Sequence, residues 1–308
     1  MNVLSLFDGM SCGQIALTNL GCFPDKYYAS EVDKFAIQQT RHVFPDTIHI
    51  GDVTRVDVSQ LDEIDLIIGG SPCQSFSFAG KHAGMVTTDN VEITDLEQYM
   101  DLKRNGFRFE GQSYLFWEYV RILTEIRLMN PDVKFLLENV KMAKNWEKVI
   151  TGALGVEPIL INSSLVSAQN RKRLYWTNIE GVTVPEDEGV FLGDILEDNV
   201  PEKYYVSEIL CGVKRIQAKE RGCGEKAKCL TATVYKGPRN DGCTLVRDYK
   251  GRAVITGRLR RLTPPECARL QTVPDWYEWV VSDTQIYRMC GNGWTVRVIE
   301  HILKNLFV

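Results

Sequence analysis

A short apolar strand that ends in two glycines places the strongest constraint on this chain. Residues 66–68 are apolar at every position, and Gly69 and Gly70 end the run abruptly. The loop that follows carries Pro72 and Cys73. Ligands of open α/β sheets bind beyond the carboxyl ends of the strands, and proline fixes φ just before the thiol. Cys73 is therefore placed for chemistry, although an inert semi-buried thiol is the alternative, since free cysteine is often buried.

Strand and helix patterns alternate from the N-terminus to this loop. Residues 2–7 predict a strand, and the helix after it is closed by Gly21. A second strand is predicted over residues 27–31 and a second helix over residues 33–43. This alternation predicts a parallel sheet with crossover helices.

Length and composition limit the class of protein. A chain of 308 residues that is 44% hydrophobic has enough core for one large domain and a smaller one. No window approaches the roughly 20 apolar residues of a membrane helix, and the N-terminus lacks a secretory leader. Nine cysteines without Cys-x-x-Cys pairs favour neither a metal site nor a disulfide framework. We expect a reducing, cytoplasmic compartment.

Charge is distributed unevenly along the chain. The net charge is −4, but residues 201–261 hold 15 Lys and Arg against 6 Asp and Glu, an excess of nine positive charges. The remainder holds 21 basic and 34 acidic residues. This asymmetry predicts a basic nucleic-acid-binding module on an acidic body, with an ordinary solvated surface as the alternative.

The first strand-to-helix turn indicates the cofactor class. It reads Gly9-x-x-x-Gly13, not the Gly-x-Gly-x-x-Gly that admits a pyrophosphate, and the chain has no P-loop. Glu31 follows at about the 20-residue spacing at which an acid bonds ribose hydroxyls. A nucleoside without phosphates fits this combination, with S-adenosylmethionine the common example. A structural tight turn is the alternative.

Two later segments add an expected lid and a helix. Residues 86–111 are polar with little periodicity, which predicts a mobile loop acting as a lid, or a disordered insertion. Residues 114–129 return to helical spacing, with Leu115, Tyr119 and Ile122 among the apolar positions of one face.

Charged side chains follow at the predicted sheet edge. Glu138 ends a strand predicted over residues 133–140, which sets its carboxyl at the same edge as Cys73; a helix-capping role is compatible. In an extended segment Gln169, Arg171 and Arg173 share one face. Two adjacent guanidiniums require an anion or a carbonyl oxygen, unless the strand is simply basic and solvated.

The order of these motifs resembles the DNA (cytosine-5) methyltransferase family. The resemblance covers almost the whole chain and rests on Leu6-Phe7-Asp8-Gly9, Ser30-Glu31-Val32, Gly51-Asp52-Val53, Gly70-Ser71-Pro72-Cys73-Gln74, Leu137-Glu138-Asn139-Val140, Gln169-x-Arg171-x-Arg173, Arg261-Leu262-Thr263-Pro264 and Gly291-Asn292-Gly293-Trp294-Thr295-Val296. Residues from about 180 to 257 lack the family pattern apart from Leu230-Thr231-Ala232. The family keeps its variable target-recognition domain there, and the basic segment coincides with it.

The resemblance implies an α/β fold, a Rossmann-like S-adenosylmethionine-dependent methyltransferase sheet with helices on both faces and a small target-recognition domain. The implied divisions are a catalytic domain over residues 1–179, the recognition domain over 180–257 and a return to the catalytic domain over 258–308. The first turn and Trp294 are similar to the eukaryotic de novo branch. With no chromatin-reading module beside the catalytic body, the chain looks like a free-standing bacterial or phage enzyme.

The catalytic residues implied by the resemblance are Cys73, Glu138, Arg171 and Arg173. Cys73 would add to C6 of a cytosine flipped out of duplex DNA. Glu138 would hold or protonate N3. Arg171 and Arg173 would bind O2 and orient the thiolate loop and nearby phosphates.

The resemblance also implies cofactor and DNA contacts. Phe7 would stack on adenine, Glu31 would bind ribose and Pro72 would lie near the sulfonium of S-adenosylmethionine, whose product is S-adenosylhomocysteine. The further cofactor positions are Asp8, Gly9, Met10, Ser11, Cys12, Gly13, Val32, Asp52, Val53, Leu115, Asn292, Trp294 and Thr295. The expected DNA contacts are Gln74, Ser75, Gln169, Lys236 and Arg239.

Partners and alternatives follow from the same resemblance. We expect double-stranded DNA as the partner, a monomer, no membrane, and a cognate restriction endonuclease as a further candidate partner. A tRNA (cytosine-5) methyltransferase and a catalytically silent DNA-binding relative are the alternatives. The intact Cys73, Glu138 and arginine pair disfavour the silent relative, and the missing phosphate loop disfavours an NAD-type oxidoreductase.

Overall fold

The computed structural model describes residues 1–72, 85–89, 91–206, 219–239, 242–250 and 253–307. The side chains at 239, 249–250 and 253–256 are not described. The expected nucleophile Cys73 and the expected DNA contacts Gln74 and Ser75 lie outside the described residues.

Strands and helices alternate through the first half of the chain. The strands are β1 (Asn2–Leu6), β2 (Lys26–Ser30), β3 (Ile48–His49), β4 (Leu66–Gly69), β5 (Lys134–Val140), β6 (Ile159–Asn162), β7 (Lys172–Thr177), β8 (Lys219–Glu220), β9 (Thr244–Lys250) and β10 (Ala253–Arg261). The helices are α1 (Cys12–Asn19), α2 (Lys34–Val43), α3 (Leu96–Arg104), α4 (Phe116–Met129), α5 (Lys144–Leu154), α6 (Leu192–Ile195), α7 (Pro264–Leu270), α8 (Asp283–Asn292) and α9 (Val296–Leu303).

Seven of the strands in the described residues form one sheet in the order β3-β2-β1-β4-β5-β7-β6. β1 pairs in parallel with both β2 and β4, so Leu4 lies opposite Tyr28 on one side and Ile67 on the other. β7 runs antiparallel to β5 and β6. The chain order reverses between β1 and β4, and open α/β sheets bind ligands at such a switch point. The predicted parallel sheet is confirmed, with one antiparallel strand added.

Helices cover both faces of this sheet because alternate strand residues point to opposite sides. Val3 packs in one apolar cluster with Ile15 of α1, and Leu4 packs in a second with Ile122 of α4. The fully apolar run predicted at residues 66–68 has the same cause, since both faces are buried. Gly21, predicted to end the first helix, follows α1 with φ of 71°. None of the described helices is long and apolar enough to cross a membrane.

A small sheet of β10, β9 and β8 lies in the basic part of the chain. Its core residues Leu245 and Leu259 belong to the same apolar cluster as Val3 of the large sheet. Ala227 forms two backbone hydrogen bonds with the segment before β7: its amide donates to the Ala168 carbonyl, and its carbonyl accepts from the Asn170 amide. The two sheets therefore share a core, and the domain boundaries at 180 and 257 stay a prediction.

The prediction of a mobile loop over residues 86–111 is wrong for the part of this range that forms the helix α3. Tyr99 of α3 is fully buried, and its hydroxyl donates to the buried carboxylate of Glu118 on α4. Lys103 Nζ lies 2.5 Å from the same carboxylate. Leu96 and Met100 also pack against the core beside Tyr99, but this apolar pattern spans little more than one turn and is followed by the polar cluster, so the hydrophobic periodicity missed the helix.

Candidate active site

A cavity of about 510 Å³ opens beyond the carboxyl ends of β1, β2 and β4, within the usual range for small-molecule sites. Most of the predicted cofactor residues line it: Phe7, Asp8, Gly9, Met10, Cys12, Glu31, Val32, Asp52, Val53, Pro72, Leu115, Asn292 and Trp294. Glu138, Arg171 and Arg173 line it too. The structure thus brings most of the predicted cofactor residues to one site with three of the four predicted catalytic residues; the fourth, Cys73, lies outside the described residues.

The turn after β1 is held in an uncommon backbone conformation. The backbone φ angles of Phe7, Gly9 and Ser11 are 59°, 58° and 61°, in the left-handed region that residues other than glycine rarely adopt. The Asp8 carboxylate accepts a hydrogen bond from the Ser11 hydroxyl and one from the Tyr27 hydroxyl at 2.9 Å. Burial nevertheless raises the pKa of Asp8 to about 6. Strain of this kind clusters at ligand sites.

Glu31 and Asp52 fix the neighbouring turns. Glu31 Oε2 accepts from the Gly9 amide at 2.7 Å, and its Oε1 accepts from the amides of Val32 and Asp33. Asp52 Oδ1 accepts from the Thr54 amide at 2.9 Å. The carboxylates thus shape the backbone of the cavity wall as well as facing the cavity.

Three of the predicted cofactor residues do not line the cavity. Ser11 is fully buried beneath the turn. Gly13 lies against β4, where an added Cβ would fall 2.1 Å from Ile68 Cδ1. A glycine at this position therefore lets α1 pack closely against the sheet. The Thr295 hydroxyl bonds Ser163 at 2.8 Å and Gln271 at 2.9 Å. Direct cofactor contact by these three residues has no support in their positions.

Glu138 is held at the cavity by two donors. Its Oε1 lies 2.8 Å from Arg173 Nε, and its Oε2 accepts from the indole of Trp294 at 3.2 Å. The helix-capping alternative is wrong, because Ala143 occupies the N-cap of α5. Glu138 is therefore an acid of the cavity wall.

Arg171 immediately precedes β7 and Arg173 lies within it; both contact the Cys229 thiol, but their oxygen partners differ. Arg171 is buried and donates to the carbonyls of Leu230 at 3.0 Å and Gly293 at 2.8 Å. Its Nε is buried without a hydrogen-bond partner among the described residues. Arg173 pairs with Glu138 instead. The expectation of a carbonyl or carboxylate partner is confirmed, and a solvated basic strand is excluded.

Gln169 lies inside the protein. Its side chain is fully buried and donates to the Leu270 carbonyl at 2.6 Å and to Gln271 Oε1 at 2.8 Å. Its own oxygen accepts from the Leu230 amide. This burial contradicts the expected DNA contact and makes Gln169 a link between chain segments.

Comparison with known proteins agrees with this geometry. The family model of the C-5 cytosine-specific DNA methylases matches residues 1–308. The chain belongs to that family.

Its relatives match over most of their length. The type II methyltransferase M.NlaX of Neisseria lactamica is 30% identical over 99% of this chain and 95% of its own. The type II methyltransferase M1.ScrFI of Lactococcus lactis subsp. cremoris is 30% identical over 91% and 71%. The structure of the Entamoeba histolytica methyltransferase EhMeth has a TM-score of 0.75 at 15% identity, covering 100% of this chain and 98% of that one, which supports the fold alone.

The protein is thus a DNA (cytosine-5) methyltransferase, and the expected family, fold class and enzyme class are confirmed. Its family uses a covalent mechanism and S-adenosylmethionine-dependent methyl transfer. The residues present fit that cofactor. The cavity offers the aromatic ring of Phe7 and the carboxylates of Glu31 and Asp52, but no glycine-rich phosphate cradle.

Two cysteines of the methyltransferase near the arginine pair differ in acidity. Burial raises the pKa of Cys12, which lines the cavity, to about 12, so this thiol is a poor nucleophile. Burial opposes ionisation of Cys229 as well, but Arg171 and Arg173 outweigh it and lower its pKa. The thiol of Cys229 lies 3.4 Å from Arg171 Nη1, a contact that no sequence pattern indicated.

Much of the positive charge of the basic segment is used within the protein. Arg247 pairs with Glu220, Arg258 with Glu202, and Arg260 with Glu266. The ammonium of Lys226 donates to backbone carbonyls, including that of Ser164 at 2.7 Å. The charge count alone therefore overstated the surface available to nucleic acid.

The two remaining expected DNA contacts lie in this segment. Lys236 is exposed, with its ammonium 5.9 Å from the centre of the Tyr235 ring. The side chain of Arg239 lies outside the described residues. Both stay predictions.

Sequence reasoning also missed part of the cavity wall, namely Ser30, Gly70, Ser71, Tyr114, Arg288 and Met289. Tyr114 stacks on Phe109 with ring centroids 4.5 Å apart. Tyr114 is the first residue of the predicted helical segment at 114–129, and it both packs against the core and lines the cavity.

Proposed function

We propose that this methyltransferase modifies a cytosine flipped out of duplex DNA at a specific sequence, through a bond between Cys73 Sγ and C6. The observation that carries the proposal is the position of Glu138 on the wall that Pro72 also lines. Cys73 follows Pro72 directly in the sequence. We therefore expect its thiol and the Glu138 carboxylate to act on one base.

The chemistry requires both groups. C5 of cytosine is a poor nucleophile because the aromatic ring holds its electrons. When the Cys73 thiolate forms the S–C6 bond, the displaced ring electrons move toward N3, where Glu138 donates a hydrogen bond or a proton. C5 then has enamine character. After methyl transfer, loss of the C5 proton to a base breaks the S–C6 bond and restores the ring.

The two arginines have different roles beside the base. Arg173 lies against Glu138, which places its guanidinium next to the base-binding carboxyl and suits it to meet O2. Arg171 holds Gly293 and Leu230 through their carbonyls, so it fixes the wall instead of the base. This assignment narrows the expectation that both arginines contact the substrate.

S-adenosylmethionine, when bound, supplies the electrophilic methyl group. Phe7 would hold its adenine with Asp52 and Val53, Glu31 would accept from the ribose, and Pro72 would lie near the sulfonium. Ser11 and Gly13 would act indirectly by shaping the turn, as Thr295 would by anchoring the C-terminal segment.

The remaining proposals concern partners. The segment at 180–257 would read the target sequence in duplex DNA, a restriction endonuclease of the same specificity would be the biological partner, and the enzyme would act as a monomer in the cytoplasm of a bacterial or phage-infected cell.

Bisulfite sequencing of host DNA after expression tests activity, base and recognition sequence together. We expect one short motif to be protected at a single cytosine, with no protection by Cys73→Ser. Tritium transfer to tRNA but not to duplex DNA would contradict the proposal and favour the RNA alternative.

A further inference from the structure

We propose that Trp294 is a positioning residue for Glu138, with its indole N–H fixing one carboxylate oxygen for contact with the base. The proposal rests on the proposed role of Glu138. Trp294 is predicted above only as a cofactor contact, and its position in the final motif is one of the departures of this chain.

The carboxylate is held from two sides. The Trp294 indole donates to Oε2 at 3.2 Å, and Arg173 Nε lies 2.8 Å from Oε1. The two donors come from different parts of the chain, β7 and the turn after α8. Because the two oxygens face different groups, rotation of the carboxylate disrupts the ion pair with Arg173, the indole hydrogen bond or both.

The glycine after β4 makes room for this contact. A Cβ at Gly70 would lie 2.8 Å from Trp294 Nε1 and 3.2 Å from Glu138 Oε2. No real Cβ approaches an indole nitrogen that closely, so any side chain at Gly70 would separate the pair or shift it. The glycine that follows β4 thus leaves the space that this contact needs.

The backbone around Trp294 is held by contacts that do not involve Glu138. The Trp294 carbonyl accepts from Cys12 Sγ at 3.7 Å, and the preceding Gly293 carbonyl accepts from Arg171 at 2.8 Å. Thr295 bonds Ser163. A donor whose own backbone is fixed on both sides can orient a catalytic group.

The chemistry of indole gives the contact a direction. The indole nitrogen only donates, so the oxygen that it contacts is held as an acceptor. Removal of the donor lets the carboxyl rotate away from the base.

Trp294→Phe keeps an aromatic ring and deletes the N–H. We expect kcat to fall roughly 10- to 100-fold, the scale of one lost hydrogen bond to a charged group. The KM for S-adenosylmethionine should stay within about twofold. Trp276→Phe is the matched control, because that indole is 44% exposed and donates to Asn19 away from the cavity.

A double-mutant cycle separates the possible failures. In the residual turnover of Glu138→Gln, Trp294→Phe should cause little further loss, and Gly70→Ala should reproduce the fall in kcat by a different change. Normal kcat in Trp294→Phe, or a rise in KM for the cofactor alone, would overturn the positioning role while leaving Glu138 catalytic. A fully active Glu138→Gln would overturn both proposals.

Discussion

Two arginine–glutamate pairs in this protein have similar chemistry and different surroundings. Glu266 accepts both terminal nitrogens of Arg260 at 2.7 and 2.8 Å, and both side chains are fully buried. Backbone amides of Thr263 and Glu197 complete that carboxylate. Glu138 forms an ion pair with Arg173, accepts a hydrogen bond from the Trp294 indole and faces the cavity.

The difference separates a structural pair from a site. A carboxylate surrounded by protein donors joins elements, here β10 to the start of α7, and has no capacity for a ligand. A carboxylate that borders a cavity keeps lone pairs for one. Removal of either acid should therefore damage different properties.

The largest effect is expected for Glu138→Gln. The amide cannot supply the proton or the charge that the base requires, so methyl transfer should fall roughly 10²- to 10⁴-fold. Urea unfolding should change little, since the glutamine can keep a hydrogen bond to Arg173. Near-normal turnover in this variant would show that Glu138, like Glu266, has a structural role only.

The reciprocal variant is Glu266→Gln. Breaking a buried ion pair from one side leaves Arg260 uncompensated, and the expected loss is about 3–5 kcal/mol of unfolding free energy. The fraction that stays folded should keep its kcat. Urea titration and active-site-normalised turnover measure the two properties, and an unchanged midpoint would show that the pair contributes no net stability.

Asp8 extends the contrast to a buried carboxyl that accepts hydroxyl hydrogen bonds. Because its pKa is raised from 3.8 to about 6, the folded state holds this proton more tightly than the unfolded chain does. Its contribution is complete below pH 3.8 and is lost as pH rises through about 6. Relative to Asp8→Asn, the wild type should lose at most about 3 kcal/mol across that window. A constant difference between the two urea midpoints would contradict the shift.

The smallest effect is expected at the surface. Arg258 and Glu202 pair where the side chains are exposed to solvent. Glu202→Gln should leave the unfolding stability close to that of the wild type, and added salt should remove any difference. A loss as large as that of Glu266→Gln would show that burial is not what distinguishes these pairs.

The same distinction explains what the sequence could predict. Strands such as β4 are apolar along their length because helices cover both faces, so the apolar run identified this strand. The residues at strand ends, Asp8, Glu31 and Glu138, then followed from parallel topology. Local pattern was sufficient where burial and topology determine the position.

Long-range contacts were not predictable in this way. The helix α3 depends on Tyr99 and Lys103 meeting Glu118, and the sequence gives no period for such a polar cluster. Gln169 and Arg173 fit one motif, yet one is buried against Leu270 and the other borders the cavity. Which charged residue becomes structural depends on the partner that folding brings to it.

The most direct test of the account is covalent trapping on duplex DNA that carries 5-fluorocytosine at the recognised position, with S-adenosylmethionine present. Fluorine cannot leave as the C5 proton does, so the S–C6 bond should persist. We predict one DNA per enzyme on a denaturing gel, with the adduct mapped to Cys73 and absent from Cys73→Ser. An active enzyme that forms no adduct, or an adduct mapped to Cys229, would contradict the account.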